Sequence, residues 1–337
     1  MGERGSHGIS GPKGGDGGPR RARPCYAVPM KIVVTGGAGY IGSSLVPRLL
    51  AAGHRVHAVD NLLYGGQALL PHFLHPNFSF AEVDVTDAQA LSRELAGADA
   101  VVHLAALVGY PLCKKLPRRA VEVNIDGTRN VVECAPPDAR VIYASTGSNY
   151  GEVLGVCTED TPLNPLSLYG ETKTEAERIV LGRPGSIALR FATAFGLSAR
   201  LRLDLLINDF AFQAVHNRFL VVYEKHFRRT FIHVTDIARA FEHVIAHPDR
   251  LHHRVYNVGH DSLNYTKEDV VRLLQARTPF LVHFAEIGRD EDRRDYQVDY
   301  SRIRATGYET AVDIDTGLSE LVRGLRVVRV ERPFSNV

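Results

Sequence analysis

The sequence predicts an α/β fold, a doubly wound parallel sheet with a smaller C-terminal lobe. Three observations predict it. Short β-branched runs alternate with stretches of helical period from Met30 to about Gly196. Those runs are apolar throughout, as strands covered on both faces must be. The first strand-to-helix junction, "TGGAGYIG", places Gly36, Gly37, Gly39 and Gly42 within a single turn.

Residues 1–29 are rich in Gly, Pro and Arg, hold almost nothing to bury and carry no apolar signal core. They are expected to be a disordered leader or tag, with Met30 as the natural start. "KIVVTG" then opens the sheet, followed by a helix over Tyr40–Ala52 in which Pro47 removes a hydrogen bond and predicts a kink. "RVHAVD" and "FSFAEVD" are the next strands, with a helix over Ala88–Leu95. "DAVVHLA", "ARVIYAS" and "SIALRFA" complete the regular alternation, separated by helices over Arg118–Glu133 and Tyr169–Leu181. Beyond Gly196 the rhythm fades. "SARLRLDLLINDFAFQAVHN" predicts a helix and "RFLVVYEK" a strand. "RRTFIHVTDIARAFEHVI" predicts a strand and a helix capped near Thr235 or Asp236, "RVYNVG" a strand, and "TKEDVVRLLQAR" a helix.

Composition excludes several function classes. A formal net charge of +2 argues against a nucleic-acid or membrane-surface binder. No apolar run approaches the roughly 18 residues of a membrane helix. Cys25, Cys113, Cys134 and Cys157 show no metal-ligand or disulfide rhythm, so a reducing, cytoplasmic setting is expected. The histidines form no H-E-x-x-H or similar pairing, and no metal site is expected.

The glycine turn carries chemistry because it lies between a strand and a helix. Gly36 permits the tight turn, Gly39 lets a pyrophosphate approach the backbone, and Gly42 lets the helix pack on the sheet. The visitor is a dinucleotide, and the domain a Rossmann-type one. Asp60 ends the second strand about 20 residues further on, where a carboxylate binds the adenosine ribose or simply shapes a turn. As a ribose ligand it repels a 2′-phosphate and favours NAD over NADP. Asp84 is placed to border the adenine, and Thr86 or Asp87 to cap the helix nearby.

"YGETK" sets Tyr169 and Lys173 four residues apart on one helix face. A phenol with an ordinary pKa of about 10 is a poor base at neutral pH, and a neighbouring ammonium brings it towards working range. Ser145 and Thr146 stand at the carboxyl end of a strand, where open α/β sheets bind ligands. Together with the dinucleotide turn, these groups describe oxidation and reduction at a carbinol carbon.

With these motifs the chain resembles the extended short-chain dehydrogenase/reductases, in particular the NAD-dependent epimerase/dehydratase family of nucleotide-sugar enzymes. The likeness runs from Met30 to about Leu325 through "TGGAGYIGS", "VDNLLYGG", "HLAA", "NIDGT", "ASTGSNYG", "YGETK", "LRFATAFG", "RRTFIHVTD" and "YNVG". The resemblance implies a dinucleotide-binding domain over 30–196, to which segments near 230–258 return, and a nucleotide-sugar lobe over 197–330. It implies Tyr169 as general base, Lys173 as its electrostatic partner and ribose ligand, and Thr146 as the catalytic hydroxyl. NAD would be bound by Gly36, Gly39, Tyr40, Ile41, Gly42, Asp60, Asn61, Asp84, Val85, Leu104, Ala105, Ala106, Asn124 and Lys173. Thr146, Ser148, Thr193, Arg229, Arg289 and Asp292 would meet the substrate, although "GRDEDRRD" also reads as a solvated charge run. Family members commonly form homodimers through the helices matching Arg118–Glu133 and Tyr169–Leu181. Outward positions such as Val131 and Ile179 permit this, and so would burial against the sheet.

Departures from the family pattern narrow the reaction. Gly147 and Ser148 stand where sugar 4,6-dehydratases place an Asp-Glu pair and decarboxylating relatives keep the Glu. Ser148 also replaces the cysteine of 3,5-epimerases, and Thr193 replaces an Asn that contacts the sugar phosphate. The loop "LVGYPLCKK" is unusual, and Lys114–Lys115 in it either contact an anion or solubilise the surface. The expectation is an NAD-dependent C4 epimerase of a nucleotide sugar. A 4-keto-sugar reductase or sugar dehydrogenase is the alternative, and a non-catalytic NAD-binding scaffold is the reading of another class.

Overall fold

The apolar runs form strands because alternate residues bury on opposite faces of one sheet. In β1 (Lys31–Thr35), Ile32 and Val34 join the core on one side and Val33 the core on the other. The structure is a computed structural model and describes residues 1–2, 29–153, 155–285 and 297–329. Its strands are β2 (Arg55–Asp60), β3 (Phe78–Glu82), β4 (Ala100–His103), β5 (Arg140–Thr146), β6 (Val156–Cys157) and β7 (Ile187–Phe191), then β8 (Thr193–Phe195), β9 (Phe219–Tyr223), β10 (Arg228–His233) and β11 (Val255–Val258), and last β12 (Asn264–Thr266), β13 (Leu281–Ala285) and β14 (Gln297–Val298). Seven of them make a parallel sheet in the order β3-β2-β1-β4-β5-β7-β11. The order reverses between β1 and β4, which is the doubly wound arrangement.

The helices are α1 (Gly42–Ala51), α2 (Ala88–Leu95), α3 (Tyr110–Lys115), α4 (Pro117–Val121), α5 (Gly127–Cys134), α6 (Leu168–Gly182), α7 (Leu206–Phe212), α8 (Val234–Ala246), α9 (Lys267–Gln275), α10 (Ser301–Arg304) and α11 (Ile314–Leu325). On one sheet face Leu45 and Leu49 of α1 pack with Phe241 and Val244 of α8. On the other, Leu91, Val131, Ala176 and Val180 come from α2, α5 and α6. A separate core gathers Leu203, Ile207, Phe210, Phe231, Val270, Leu274, Leu318 and Leu321. Around it lie a three-stranded sheet, β12-β10-β8, and the pair β13-β9.

Two expectations are corrected. Residues 198–205 are not helical, and the helix starts at Leu206. The chain bends at 199–200 and again at 203–205 before that start. The segment Arg118–Glu133 is helical as expected, and it widens into a π turn over Glu122–Asp126, where Asn124 turns inward. Helix α8 is capped by His233, whose side chain accepts the Thr235 amide, and not by Thr235 or Asp236. Pro47 lies within α1, which continues to Ala51. Val131 belongs to the sheet-facing core and Ile179 is half-buried.

Asp236 ties the C-terminal segment to α8. Fully buried, it accepts the amides of Ala311 and Val312 at 2.9 Å each and pairs with Arg239 at 2.6 Å. Asp236→Ala strands all three donors and is expected to cost about 3 kcal/mol, read from urea unfolding.

Candidate active site

The carboxyl ends of β1 and β4 flank the point where strand order reverses, and the glycine turn fills it. Gly36 has φ +72°, and its amide donates to the Val59 carbonyl at 2.8 Å. A Cβ there would lie 2.7 Å from the Ala105 nitrogen, so β1 and β4 close together only over glycine. A Cβ on Gly39 would meet only the Gly36 carbonyl, at 3.1 Å, which leaves its outer side open. No side chain caps α1 at Ile41, whereas Asp87, Ser167 and Thr266 cap α2, α6 and α9. An open glycine at an uncapped helix start fits a diphosphate bridge.

The predicted cofactor residues divide by what their side chains already hold. Tyr40 is buried and donates its hydroxyl to Gly196 O at 2.8 Å, so it meets a ligand through backbone only. Asp60 accepts the Ala38 amide at 3.0 Å and the Leu62 amide at 2.9 Å. It therefore shapes the glycine turn from the neighbouring strand. Burial raises its pKa, against those two amides and Arg200. Asn61 donates to Asp84 at 2.9 Å, and Asp84 also accepts from Thr86 and Arg119. In Asp84, burial is outweighed by the bonds from Thr86 and Asn61 and by Arg119, and the carboxyl stays below its usual range. Val85 is core, and Leu104 packs against the opposite core. Ala105 abuts Gly36, and Ala106 follows it in the same open stretch after β4.

Asn124 is buried at 1% exposure, with its side chain clamping the unusual loop. It accepts the Leu107 amide at 2.7 Å and donates to Leu107 O and Thr172 Oγ1 at 3.0 Å each. His103 joins Thr35 and Thr128 across the sheet, and burial drives its pKa down to about 3.

The catalytic candidates converge where β5 ends and α6 begins. Thr146 is the last residue of β5; its hydroxyl accepts the Ser148 amide and donates to Ser148 Oγ, both at 3.1 Å. A Cβ on Gly170 would lie 3.2 Å from Ser148 O, so this turn rests on the helix start beside Tyr169. Ser167 caps that start by accepting the Gly170 amide at 3.2 Å. Tyr169 packs against Leu107, Leu112, Cys113 and Ala120. Lys173, one turn on, is buried at 3% exposure, and its ammonium lies 4.1 Å from the centre of the Tyr143 ring. Burial lowers its pKa to about 7, opposed by Glu177 and Cys113.

Thr193 opens β8, and Arg229 is buried on the neighbouring strand β10, where Phe231 registers with Thr193. Arg289 and Asp292 lie outside the described residues. Among the described residues no group of His, Cys, Asp and Glu could hold a metal, and no helix is long and apolar enough to cross a membrane.

The sequence pattern of the "NAD dependent epimerase/dehydratase family" matches residues 32–259. The chain belongs to this family. It is therefore an enzyme of an NAD-dependent epimerase/dehydratase type, with NAD as cofactor. Its relatives in the family include dTDP-glucose 4,6-dehydratase of Streptomyces griseus, 33% identical over 86% of this chain and 92% of that one. UDP-glucuronic acid decarboxylase 2 of Arabidopsis thaliana is 27% identical over 88% of this chain and 68% of its own. The structure of UDP-glucuronic acid 4-epimerase from Bacillus cereus, in complex with UDP-glucuronic acid and NAD, superposes with a TM-score of 0.78 at 25% identity, covering 88% of this chain and 99% of that one.

Two features of this family member escape motif reading. Residues 198–204 form an irregular, twice-bent segment beside the glycine turn. Ser198 donates to Tyr40 O at 2.7 Å, Arg200 stacks on Tyr64 at 4.2 Å, and Arg202 pairs with Asp204 at 2.6 Å close to Tyr169. The second is a buried network behind Thr146. Ser145 Oγ donates to Glu177 at 2.5 Å, and Arg190 pairs with Glu177 at 2.6 Å while donating to Tyr150 Oη at 3.0 Å. Single residues scattered over β5, α6 and β7 leave no local pattern.

Proposed function

We propose that the protein is an NAD-dependent epimerase of a nucleotide sugar, acting at C4 through a transient 4-keto sugar. One observation carries the reading. The turn after Thr146 offers Gly147 and Ser148 and no carboxylate, while the nearby acids are engaged, Glu177 with Arg190 and Asp204 with Arg202. Elimination and decarboxylation need an acid or base there; reversible oxidation of a hydroxyl does not. NAD, held at the turn of Gly36, Gly39 and Gly42, would supply a reversible hydride acceptor, and the keto sugar would have to turn over in the pocket for the configuration to invert. Tyr169 takes the hydroxyl proton and later gives it back. Lys173 stabilises the phenolate meanwhile. Thr146 Oγ1 holds the reacting oxygen, with Ser148 beside it. Thr193 and Arg229 are proposed to hold the nucleotide end of the substrate, with Arg289 and Asp292 assigned there from sequence.

A homodimer is proposed to form through the α4–α6 face, where Leu116 and Val121 are 43% and 38% exposed. The free thiols of Cys113, Cys134 and Cys157 suit a cytoplasmic location.

A panel of UDP-, dTDP-, GDP- and ADP-sugars tests the function. At least one is expected to raise the melting temperature, and NMR should then show inversion at one sugar carbon without lasting absorbance at 340 nm. Stoichiometric NADH would replace the reading with a dehydrogenase. NADH consumption on a 4-keto sugar would make it a reductase. A dehydrated or decarboxylated product would reject the carboxylate argument.

A further inference from the structure

Lys173 poses a physical problem. An ammonium that is 97% buried must be held charged by something if it is to assist the Tyr169 phenolate. The groups facing it come from four elements. Tyr169 and Glu177 lie one turn before and after it on α6. Cys113 faces it from α3, His103 from β4 and Tyr143 from β5. Most of these carry no charge at neutral pH. Burial pushes the Cys113 thiol up to about 11 and His103 down to about 3, and it raises the Tyr143 phenol well above its ordinary value. Glu177 supports the ammonium, but it shares its carboxylate with Arg190, Ser145 and Asn149.

The second stabiliser is the aromatic face. The Lys173 ammonium sits 4.1 Å from the Tyr143 ring centre, well inside the roughly 6 Å range of a cation–π contact. The ring is itself locked: Tyr143 is 1% exposed, and His103 lies against it at 5.5 Å. Its hydroxyl is buried without a hydrogen-bond partner among the described residues. An aromatic chosen for its hydroxyl would satisfy it. We propose that Tyr143 is a positioning residue for this reaction, its ring face holding the buried Lys173 ammonium beside Tyr169 while its hydroxyl does nothing. The proposal rests on the reading of Lys173 as partner of Tyr169.

The test reads Lys173 directly. The chain holds few lysines, so with ¹³C-lysine labelling the ε-methylene signals of NAD-saturated full-length protein can be followed through a pH titration. The Lys173 signal is the one missing from Lys173→Arg. In Tyr143→Phe the midpoint should stay within about 0.3 pH units of the native protein. In Tyr143→Leu it should fall by about one unit, a tenfold loss of the ammonium form above the midpoint. Tyr143→Met fills more of the ring's space and should shift the same way if the leucine variant folds poorly. A native midpoint in Tyr143→Leu or Tyr143→Met overturns the proposal. So does a Tyr143→Phe midpoint displaced by a unit, because the hydroxyl would then be the active part. No sugar is needed, so this result stands apart from whether the epimerase reading holds. If that reading holds, the pH profile of turnover should move with the Lys173 midpoint in Tyr143→Leu and stay put in Tyr143→Phe.

Discussion

Tyr169→Phe is expected to lower turnover by about 10²–10⁴-fold while leaving NAD affinity and the unfolding midpoint nearly unchanged. The two halves of this result have separate causes. The ring of Tyr169 packs against Leu107, Leu112, Cys113 and Ala120, and phenylalanine preserves that contact. The glycine turn, Asp60 and Asn124 lie on other elements and keep their own partners. What disappears is the hydroxyl proposed to take the proton beside Thr146. A free phenol at neutral pH is ionised only to about one part in a thousand. The catalytic value of this one therefore depends on the Lys173 ammonium a turn away, and a variant without the oxygen cannot benefit from that charge. Because the lost interaction belongs to the transition state, kcat and kcat/KM should fall together with KM little changed. Product formation followed by NMR, with NAD binding by equilibrium dialysis, checks both halves. Turnover within tenfold of native would remove Tyr169 from the proton path.

The sheet and the glycine turn were legible in the sequence because each is written locally. A run such as "KIVVTG" states its own burial on both faces, and "TGGAGYIG" states a turn only glycine can make. The placement of Thr146 at a strand end and of Tyr169 and Lys173 on one helix was legible for a related reason, since a strand end and an i, i+4 pair are short-range patterns. What stayed hidden depends on contacts far apart in the chain. The motif that carries Asn124 does not show that its side chain holds Leu107 and Thr172. Nor does the strand end that carries Asp84 show that its oxygens are taken by Asn61, Thr86 and Arg119. The bends over 199–205 leave no local pattern beside the helical "LINDFAF" that follows them. Nothing in sequence marks Tyr143 as the neighbour of Lys173, because that contact joins a strand to a helix more than twenty positions on.

Glu177→Leu should be the most damaging substitution outside the reacting groups, costing about 3–5 kcal/mol of a total stability of roughly 5–15 kcal/mol. Glu177 and Arg190 are 3% and 6% exposed and 2.6 Å apart, so neither charge can turn to water when the other is removed. Leucine in place of the carboxylate leaves the Arg190 guanidinium, among the described residues, with Tyr150 Oη and Glu159 O as acceptors, both at 3.0 Å. It also frees Ser145 and Asn149, which hold the turn after Thr146 against α6. Loss of stability should therefore come with loss of turnover, because Thr146 and Tyr169 sit on the two elements this network joins. The penalty comes from an orphaned charge rather than from a strong attraction, since burying the pair cost desolvation in the first place. Removing both charges should therefore hurt less than removing one. Tyr150 keeps its bond to Asn257 at 2.6 Å, and Asn149 keeps Ser145 at 3.0 Å. Urea unfolding of Glu177→Leu, Arg190→Met and the double variant decides the matter. The double variant should be more stable than Glu177→Leu by about 2 kcal/mol or more. Strictly additive losses would mean that the two side chains act independently and that the network does not join β5 to α6.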